Sequence, residues 1–122
     1  MAIDYGGPEI SAVTSEDLSE KQFCGVTMET DGTITLGASA GEMCVGVLQN
    51  KPGAGGVARI RINGGTSPFK LGDTVEEGGE LQVDTDGMFI AAAASDYVHG
   101  VALLPGVDGD VVPGIVVHYQ KI

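Results

Sequence analysis

The sequence contains little of what several classes of protein require. It has no tryptophan, 5% aromatic residues, two cysteines, and six lysines or arginines against 17 acids, so its net charge is −11. Nucleic acids and anionic membranes select basic surfaces, and we therefore expect neither as a partner. No apolar run approaches the ~18 residues of a transmembrane helix. The first residues, MAIDYGGPEI, lack the basic and apolar segments of a secretory signal, which favours synthesis in the cytoplasm.

The residues that most often carry metal or redox chemistry are also few. Cys24 and Cys44 lie in apolar, strand-like runs, so we expect two reduced core thiols. His99 and His118 have no metal-ligand spacing between them, and two cysteines alone do not form a structural zinc site. We expect no metal and no cofactor.

Two patterns resemble chemical sites but lack residues that those sites need. Ser95, Asp96 and His99 combine a hydroxyl, a carboxylate and an imidazole, but no Gly-x-Ser-x-Gly turn surrounds the serine. The acidic turn at 84–87 lacks the glycine and glutamate positions of a calcium loop. The sequence therefore predicts a protein that is not an enzyme.

Glycine is abundant, at 20 of 122 residues, and it marks turns. Asp31-Gly32, Asn63-Gly64 and Asp86-Gly87 are typical of tight hairpins, which need positive φ. Turns recur about every ten residues, the spacing of a small all-β barrel or sandwich, and the two alternatives stay open. Apolar alternation predicts strands near 22–29, 32–36, 43–49, 56–62, 73–76, 79–84, 88–91, 97–103 and 110–119. Thr14 to Lys21 has a helix-start pattern of one or two turns. Pro113 indicates an edge strand or a bulge.

The chain also repeats itself. TDGTITLGASAGEMCVGVL, which begins at Thr30, is followed 55 residues later by TDGMFIAAAASDYVHGVAL. Each copy has a Thr-Asp-Gly turn, a short strand, a loop of small residues and a strand with Gly-Val. The sequence therefore predicts two similar strand–turn–strand units.

The segment GDTVEEGGELQVDTDGM, beginning at Gly72, resembles the middle of lipoyl and biotinyl carrier domains. Such a carrier would place its modified lysine where this chain has Gly87. Because glycine has no amine to modify, a carrier that lacks its lysine is kept only as an alternative function.

Four of the six cations fall within residues 51–70, a segment without any acid. We name Lys51, Arg59, Arg61 and Lys70 the basic strip. In the strand at 56–62, alternation predicts that Ala58, Ile60 and Ile62 face the core while both arginines face outward. The strip is predicted to meet an acidic surface of a neighbouring subunit.

Three segments in order, VGVLQNKPGAGG from Val45, GDTVEEGGELQVDTDG from Gly72 and DYVHGVAL from Asp96, carry a resemblance to small phage capsid cement (decoration) proteins. The first copy of the repeat also resembles the head decoration protein of lambda-like phages. The resemblance implies a β-rich protein on the outer surface of the virion, with the major capsid protein as partner, assembled as a homotrimer. It further implies an N-terminal arm over the capsid lattice.

The arm is predicted to span residues 1–14 and the β-rich domain residues 15–122. The segment contains Ile3, Tyr5 and Ile10, and these apolar side chains are the predicted capsid contacts. A segment this short cannot fold alone but can order on binding. A general small β-barrel adaptor is the remaining alternative.

Overall fold

The computed structural model describes residues 5–122, and in that range the chain forms ten β-strands and no helix. The strands are β1 (Glu9–Val13), β2 (Gly25–Met28), β3 (Ile34–Leu36), β4 (Gly46–Leu48), β5 (Val57–Arg61), β6 (Thr66–Lys70), β7 (Glu80–Val83), β8 (Phe89–Ala91), β9 (Tyr97–Ala102) and β10 (Val111–Gln120). The all-β prediction is confirmed, whereas the helix-start pattern at Thr14 to Lys21 produces bends and turns.

The strands form two antiparallel five-stranded sheets. The N-terminal sheet has the order β1-β5-β4-β2-β3, and the C-terminal sheet has the order β6-β10-β9-β7-β8. The arrangement is a small β-sandwich and not one closed barrel. In each sheet, the residue that follows one edge strand also forms a parallel bridge to the opposite edge strand. These bridges join Thr14 to Ile34 and Leu71 to Phe89.

The second sheet repeats the strand order of the first with every number raised by five, so the predicted internal repeat is confirmed. The registers match as well, since Leu48 pairs with Ile60 in one sheet and Ala102 pairs with Gly114 in the other. The repeat contains five strands and begins two strands before the Thr-Asp-Gly turn at which the sequence pattern began. Residues of one unit therefore have equivalents in the other.

The Asp-Gly turns adopt the conformation that their sequence predicts. Gly32 has φ 84° and Gly87 has φ 75°, and each closes the hairpin between the second and third strands of its unit. At the third predicted turn, Gly64 has φ 98°, and Gly65 does not have positive φ. Glycine is favoured here because L side chains rarely adopt positive φ.

Each unit has its own hydrophobic core. The smaller cluster contains Leu18, Val26, Ile34, Leu48, Ala58 and Ile60, all from the N-terminal unit. The larger cluster is built around Phe69 and Phe89, whose rings meet edge to face with centroids 4.8 Å apart. A Cβ at Gly100 would lie 2.5 Å from the Phe69 ring, so glycine at that position leaves space for the ring. Cys44 and Val47 extend from the N-terminal unit into this larger cluster.

The two units meet through glycine backbone. The Gly25 amide donates to the Gly87 carbonyl at 2.8 Å. A Cβ at Gly25 would lie 2.4 Å from Val83, and a Cβ at Gly87 would lie 2.5 Å from Leu36. We call this contact the seam. At the seam, the two units approach each other more closely than side chains on Gly25 and Gly87 would allow.

Two strands were missed by the sequence prediction, and they occupy equivalent positions. The strand β1 was assigned to the arm, and β6 contains Pro68, which disfavours a strand assignment. Both are edge strands that pair along their full length, β1 with β5 and β6 with β10. The predicted strand at 73–76 was wrong, because only a single bridge from Val75 to Gly106 forms there.

The predicted boundary between arm and domain at residue 14 is corrected by β1. Glu9 to Val13 pair with five residues of β5, and Ile10 and Ala12 pack against the smaller core cluster. The sequence prediction failed here because the alternation in EISAV is too short to indicate a strand. Of the segment before β1, only residues 5–8 are described.

The strand that contains Pro113 is not an edge strand, although it does contain the other predicted feature, a bulge. The strand β10 lies between β6 and β9, and its irregularity falls between Val116 and Tyr119. Pro113 is tolerated because its neighbour on β6 is Pro68 and because it faces Leu103, just beyond the end of β9. The missing N–H of Pro113 therefore falls where the hydrogen-bond ladder between β10 and β9 ends.

Alanine at Gly87 should destabilise the protein more than alanine at Gly32. Both substitutions place a side chain at positive φ, but only Gly87 also meets Leu36, since a Cβ at Gly32 would have none of the described residues within 4 Å. We expect about 1 kcal/mol for Gly32→Ala and about 2–4 kcal/mol for Gly87→Ala, measured by urea unfolding. Equal losses would contradict a close seam at this turn.

Removing β1 should unfold or strongly destabilise the chain. A protein that begins at Thr14 lacks five strand pairs and the buried contacts of Ile10, so we expect a loss of at least about 3 kcal/mol. The control begins at Tyr5 and keeps every described residue. Thermal melts followed by circular dichroism compare the two, and coincident melts would show that β1 is dispensable.

Candidate interaction surfaces

The predicted capsid contacts of the arm fall into three different situations. Ile3 lies outside the described residues. Tyr5 is exposed, and beside it the Gly6 carbonyl accepts a hydrogen bond from the Thr66 amide at 2.8 Å. Ile10 is partly buried in β1 against the core of its own chain. Of the three predicted contacts, Tyr5 is therefore the one that the structure shows exposed to a partner.

The predicted basic strip is not one continuous surface. Lys51 and Arg59 are exposed, and Lys70 is partly exposed with its ammonium group 3.1 Å from the Gly109 carbonyl. Arg61 is 7% exposed, so the prediction that it faces solvent was wrong. The strand alternation was correct, since Arg59 and Arg61 share a face, but the turn before β6 packs on Arg61, where a Cβ at Gly65 would lie 2.5 Å from its Cδ. The proposed interface role of the strip stays a prediction for the exposed cations.

Glu9 holds both arginines within the chain. Its carboxylate accepts hydrogen bonds from Arg59 Nε at 3.1 Å, from Arg59 Nη2 at 3.0 Å and from Arg61 Nη2. Arg61 Nη1 also donates to the Thr66 carbonyl at 2.9 Å. The hydrogen bond from Arg61, assisted by that from Arg59, lowers the pKa of Glu9 below its ordinary value. This ion cluster ties β1 to β5 and the start of β6.

Within residues 5–122, the buried Nε of Arg61 has no hydrogen-bond partner. The guanidinium therefore depends on Glu9 and one carbonyl for its stabilisation. Sequence reasoning missed this pair because Glu9 and Arg61 are 52 positions apart. The signal that could have found it is a lone glutamate in an apolar edge strand, opposite a strand with alternating arginines.

The residues considered for catalysis are directed to different partners. His99 is buried, its Nε2 accepts from the Cys44 amide at 3.1 Å, and the same atom lies 2.9 Å from the Glu42 carbonyl. Burial lowers the pKa of His99, so the imidazole is neutral at pH 7. Ser95 instead bonds to the chain end through Gln120 and Lys121. The histidine thus holds the two units together at the seam.

The thiols are buried, as predicted. Burial raises the pKa of Cys24 to about 11 and that of Cys44 to about 12, and both cysteines are unpaired. At neutral pH both remain thiols, which are poor nucleophiles and poor metal ligands. In the described part of the chain, no group of three or more His, Cys, Asp or Glu side chains could hold a metal ion.

The turn that resembles a carrier's lysine turn is not free for modification. Gly87 is buried in the seam against Leu36. A lysine there would need the space that Leu36 occupies. The likeness to carrier domains is therefore explained by a shared hairpin pattern with a different role.

The outer face of the C-terminal sheet carries exposed apolar side chains that the sequence analysis did not single out. Val111 is 49% exposed and Ile115 is 40% exposed, and both lie on the outward face of β10. Leu103, 36% exposed, is hydrogen-bonded to the backbone of Pro113 between them. The signal was present in the alternation of β10, but Pro113 led to the edge assignment.

Among residues 5–122, no helix is long and apolar enough to cross a membrane. The described residues define a duplicated small β-sandwich whose candidate sites are faces of its sheets. A comparison with models of known protein families finds no match. A comparison with curated protein sequences also finds none.

A comparison with solved structures does find similar folds. One is the crystal structure of the N base of the head fiber gp8.5 in bacteriophage phi29, with a TM-score of 0.70. The similarity covers 89% of this chain and 92% of that chain at 15% sequence identity. At this identity the likeness establishes a shared fold over nearly the whole length of both chains.

Replacing Glu9 by glutamine should destabilise the protein although the side chain keeps its size. Arg61 would retain a buried charge without its carboxylate, and we expect a loss of about 1–3 kcal/mol in the free energy of unfolding. The matched control is Glu77→Gln at an exposed position, where we expect a change within about 0.5 kcal/mol. Urea titrations of both variants at pH 7 measure the difference.

The wild type and Glu9→Gln also give a pH control. Because the pKa of Glu9 is lowered on folding, its stabilisation is present above the ordinary carboxyl pKa of about 4.3 and is lost as the pH falls through the lowered value. The difference in stability between the two proteins should therefore shrink between pH 7 and about pH 3. A constant difference across this range would assign the effect to side-chain shape instead of charge.

Proposed function

We propose that this protein is a structural component of a bacteriophage head, and more specifically a decoration protein on its outer surface. The observation that carries the proposal is the shared fold with the base of a phage head fiber, which extends over 89% of this chain. The sequence resemblance to capsid cement proteins supports the same role independently, because it rests on three segments in order and not on the fold.

The physical character of the chain fits a non-enzymatic surface protein. Its acidic composition favours solubility and opposes non-specific contacts. Its hydroxyl, imidazole and thiol groups at 95, 99, 24 and 44 are either separated or buried. A protein that stabilises a shell needs only a rigid body and repeated weak contacts, since multivalent attachment raises the total affinity.

The proposed partner is the major capsid protein, and the proposed assembly is a homotrimer on the head. Tyr5 remains the candidate contact of the N-terminal segment. Lys51, Arg59 and Lys70 remain the candidate cations for a neighbouring acidic subunit. Because exposed ion pairs contribute only about 0.2–1 kcal/mol each, such a trimer would be weak in solution and would form on the lattice.

The base of a head fiber is the second candidate function. It is favoured by the similar solved structure, which is itself the N base of a phage head fiber. The two candidates differ in whether anything is mounted on the protein. A decoration protein ends at the head surface, whereas a fiber base carries a projecting structure.

The test uses heads of the phage that carries this gene, prepared with and without it. We expect the purified protein to co-sediment with heads that lack it and to raise the temperature at which they rupture. Electron microscopy then separates the candidates, since a decoration protein adds compact density at repeated lattice positions and a fiber base lies beneath a projection. Failure of the protein to bind heads would refute both.

A further inference from the structure

The duplicated fold allows the outer faces of the two sheets to be compared position by position. The backbone N–H of Gln49 donates to the Arg59 carbonyl at 2.8 Å, and the backbone N–H of Leu103 donates to the Pro113 carbonyl at 2.9 Å. The pair Val13 and Val57 in one sheet matches Lys70 and Val111 in the other. Equivalent outward residues can therefore be identified from the register alone.

The two faces differ in chemistry at matched positions. Where the N-terminal sheet has Gln49, Arg59 and Arg61, the C-terminal sheet has Leu103, Pro113 and Ile115. Ser11 on the first edge strand corresponds to Pro68 on the second. Glu9 neutralises the arginines of the first face within the chain, and that face exposes Val13 and Val57 where its counterpart has Lys70 and Val111. At the positions of Gln49 and Arg61, the counterpart is apolar.

We call the apolar counterpart the β10 face, defined by Pro68, Val101, Leu103, Val111 and Ile115, which surround the buried Pro113. Its strands are adjacent, since Ile115 pairs with Val101 and Pro113 pairs with Pro68. Three of its side chains are between 36% and 49% exposed. A contiguous apolar patch on a strongly acidic chain is typical of an interaction site.

The charges around the β10 face indicate its partner. Asp108 and Asp110 lie exposed in the turn before β10. Lys70 is paired with Val111 on the same face and donates to the Gly109 carbonyl at 3.1 Å, and Glu80, beside Val101, is paired with Lys121 at 3.2 Å. The exposed aspartates therefore outnumber the lysine of this face, and a second copy of the chain would bring a further net charge of −11 to it.

A partner that carries aliphatic side chains flanked by lysine or arginine would match both the patch and the acids around it.

The size of the patch agrees with a partner that forms a repeating lattice. Stable pairwise interfaces bury about 800 Å² on each side, far more than a few half-exposed aliphatic side chains provide. Many small contacts of this kind suffice when the partner presents the same surface repeatedly.

We propose that the β10 face is the surface by which this protein docks on the phage head, against an aliphatic patch flanked by basic residues. The assignment rests on the proposed function, because it takes the head as the partner. It places the head contact on the C-terminal sheet and leaves Tyr5, Lys51 and Arg59 to contacts between neighbouring copies.

The experiment compares co-sedimentation with heads for wild type and for Val111→Thr combined with Ile115→Thr. Threonine keeps the β-branched shape, so the strand is preserved while apolar surface is lost. We expect head binding to weaken at least about tenfold with an unchanged melting temperature. The matched control is Val13→Ser combined with Val57→Ser on the equivalent face, for which we expect binding within about twofold of wild type. A second variant, Leu103→Gln, introduces the residue found at the equivalent position of the N-terminal sheet and should also weaken binding.

The outcomes are distinguishable. Wild type that binds heads, with β10-face variants that bind equally well, overturns the docking surface and leaves the proposed function intact. Wild type that does not bind heads overturns the proposed function and this assignment together. If sedimentation shows wild-type self-association that the variants abolish while head binding persists, the occupant is a second copy and the assignment to the head is overturned. Weaker wild-type binding in high salt supports a basic partner, and salt-independent binding contradicts it.

Discussion

The close approach of Gly25 and Gly87 is the constraint on which the two-sheet arrangement depends. The backbones are joined by a 2.8 Å hydrogen bond, and a Cβ on either residue would overlap a neighbouring side chain. This contact places Val83 against Gly25 and Leu36 against Gly87 across the seam, and Cys44 enters the larger core beside it. Each unit has its own core, but the larger one is complete only with residues from its neighbour.

The seam is not symmetric, although the units are equivalent in topology. The residue equivalent to Gly25 is Glu80, and the turn equivalent to Gly87 is at Gly32, which has open space around it. The units therefore pack head to tail, with a different surface of each at the contact. Each unit therefore has one surface that is equivalent to its neighbour's seam surface but does not itself take part in the seam.

One of those unused surfaces is covered by the end of the chain. In the N-terminal unit, Gly41 donates its amide to the Val83 carbonyl of the other unit, and in the C-terminal unit Ser95 donates to the Lys121 carbonyl. Gly41 and Ser95 have matching φ values of 74° and 73°. The ion pair between Lys121 and Glu80 also places charged groups on this surface. The two equivalent amides are therefore hydrogen-bonded to different segments, one to the other unit and one to residue 121.

The sequence by itself determined the all-β class, the duplication and the Asp-Gly turns, because these depend on local alternation and on residues that tolerate positive φ. It did not determine the first strand of either unit, since EISAV is short and TSPFK contains a proline, and both become strands only by pairing with β5 and β10. Tertiary structure likewise decided that Arg61 is buried, because Glu9 meets Arg61 only when β1 pairs with β5, and the Gly65 turn packs on the same side chain. The apolar β10 face became visible for the same reason: which side of a strand faces solvent is set by what packs against the other side.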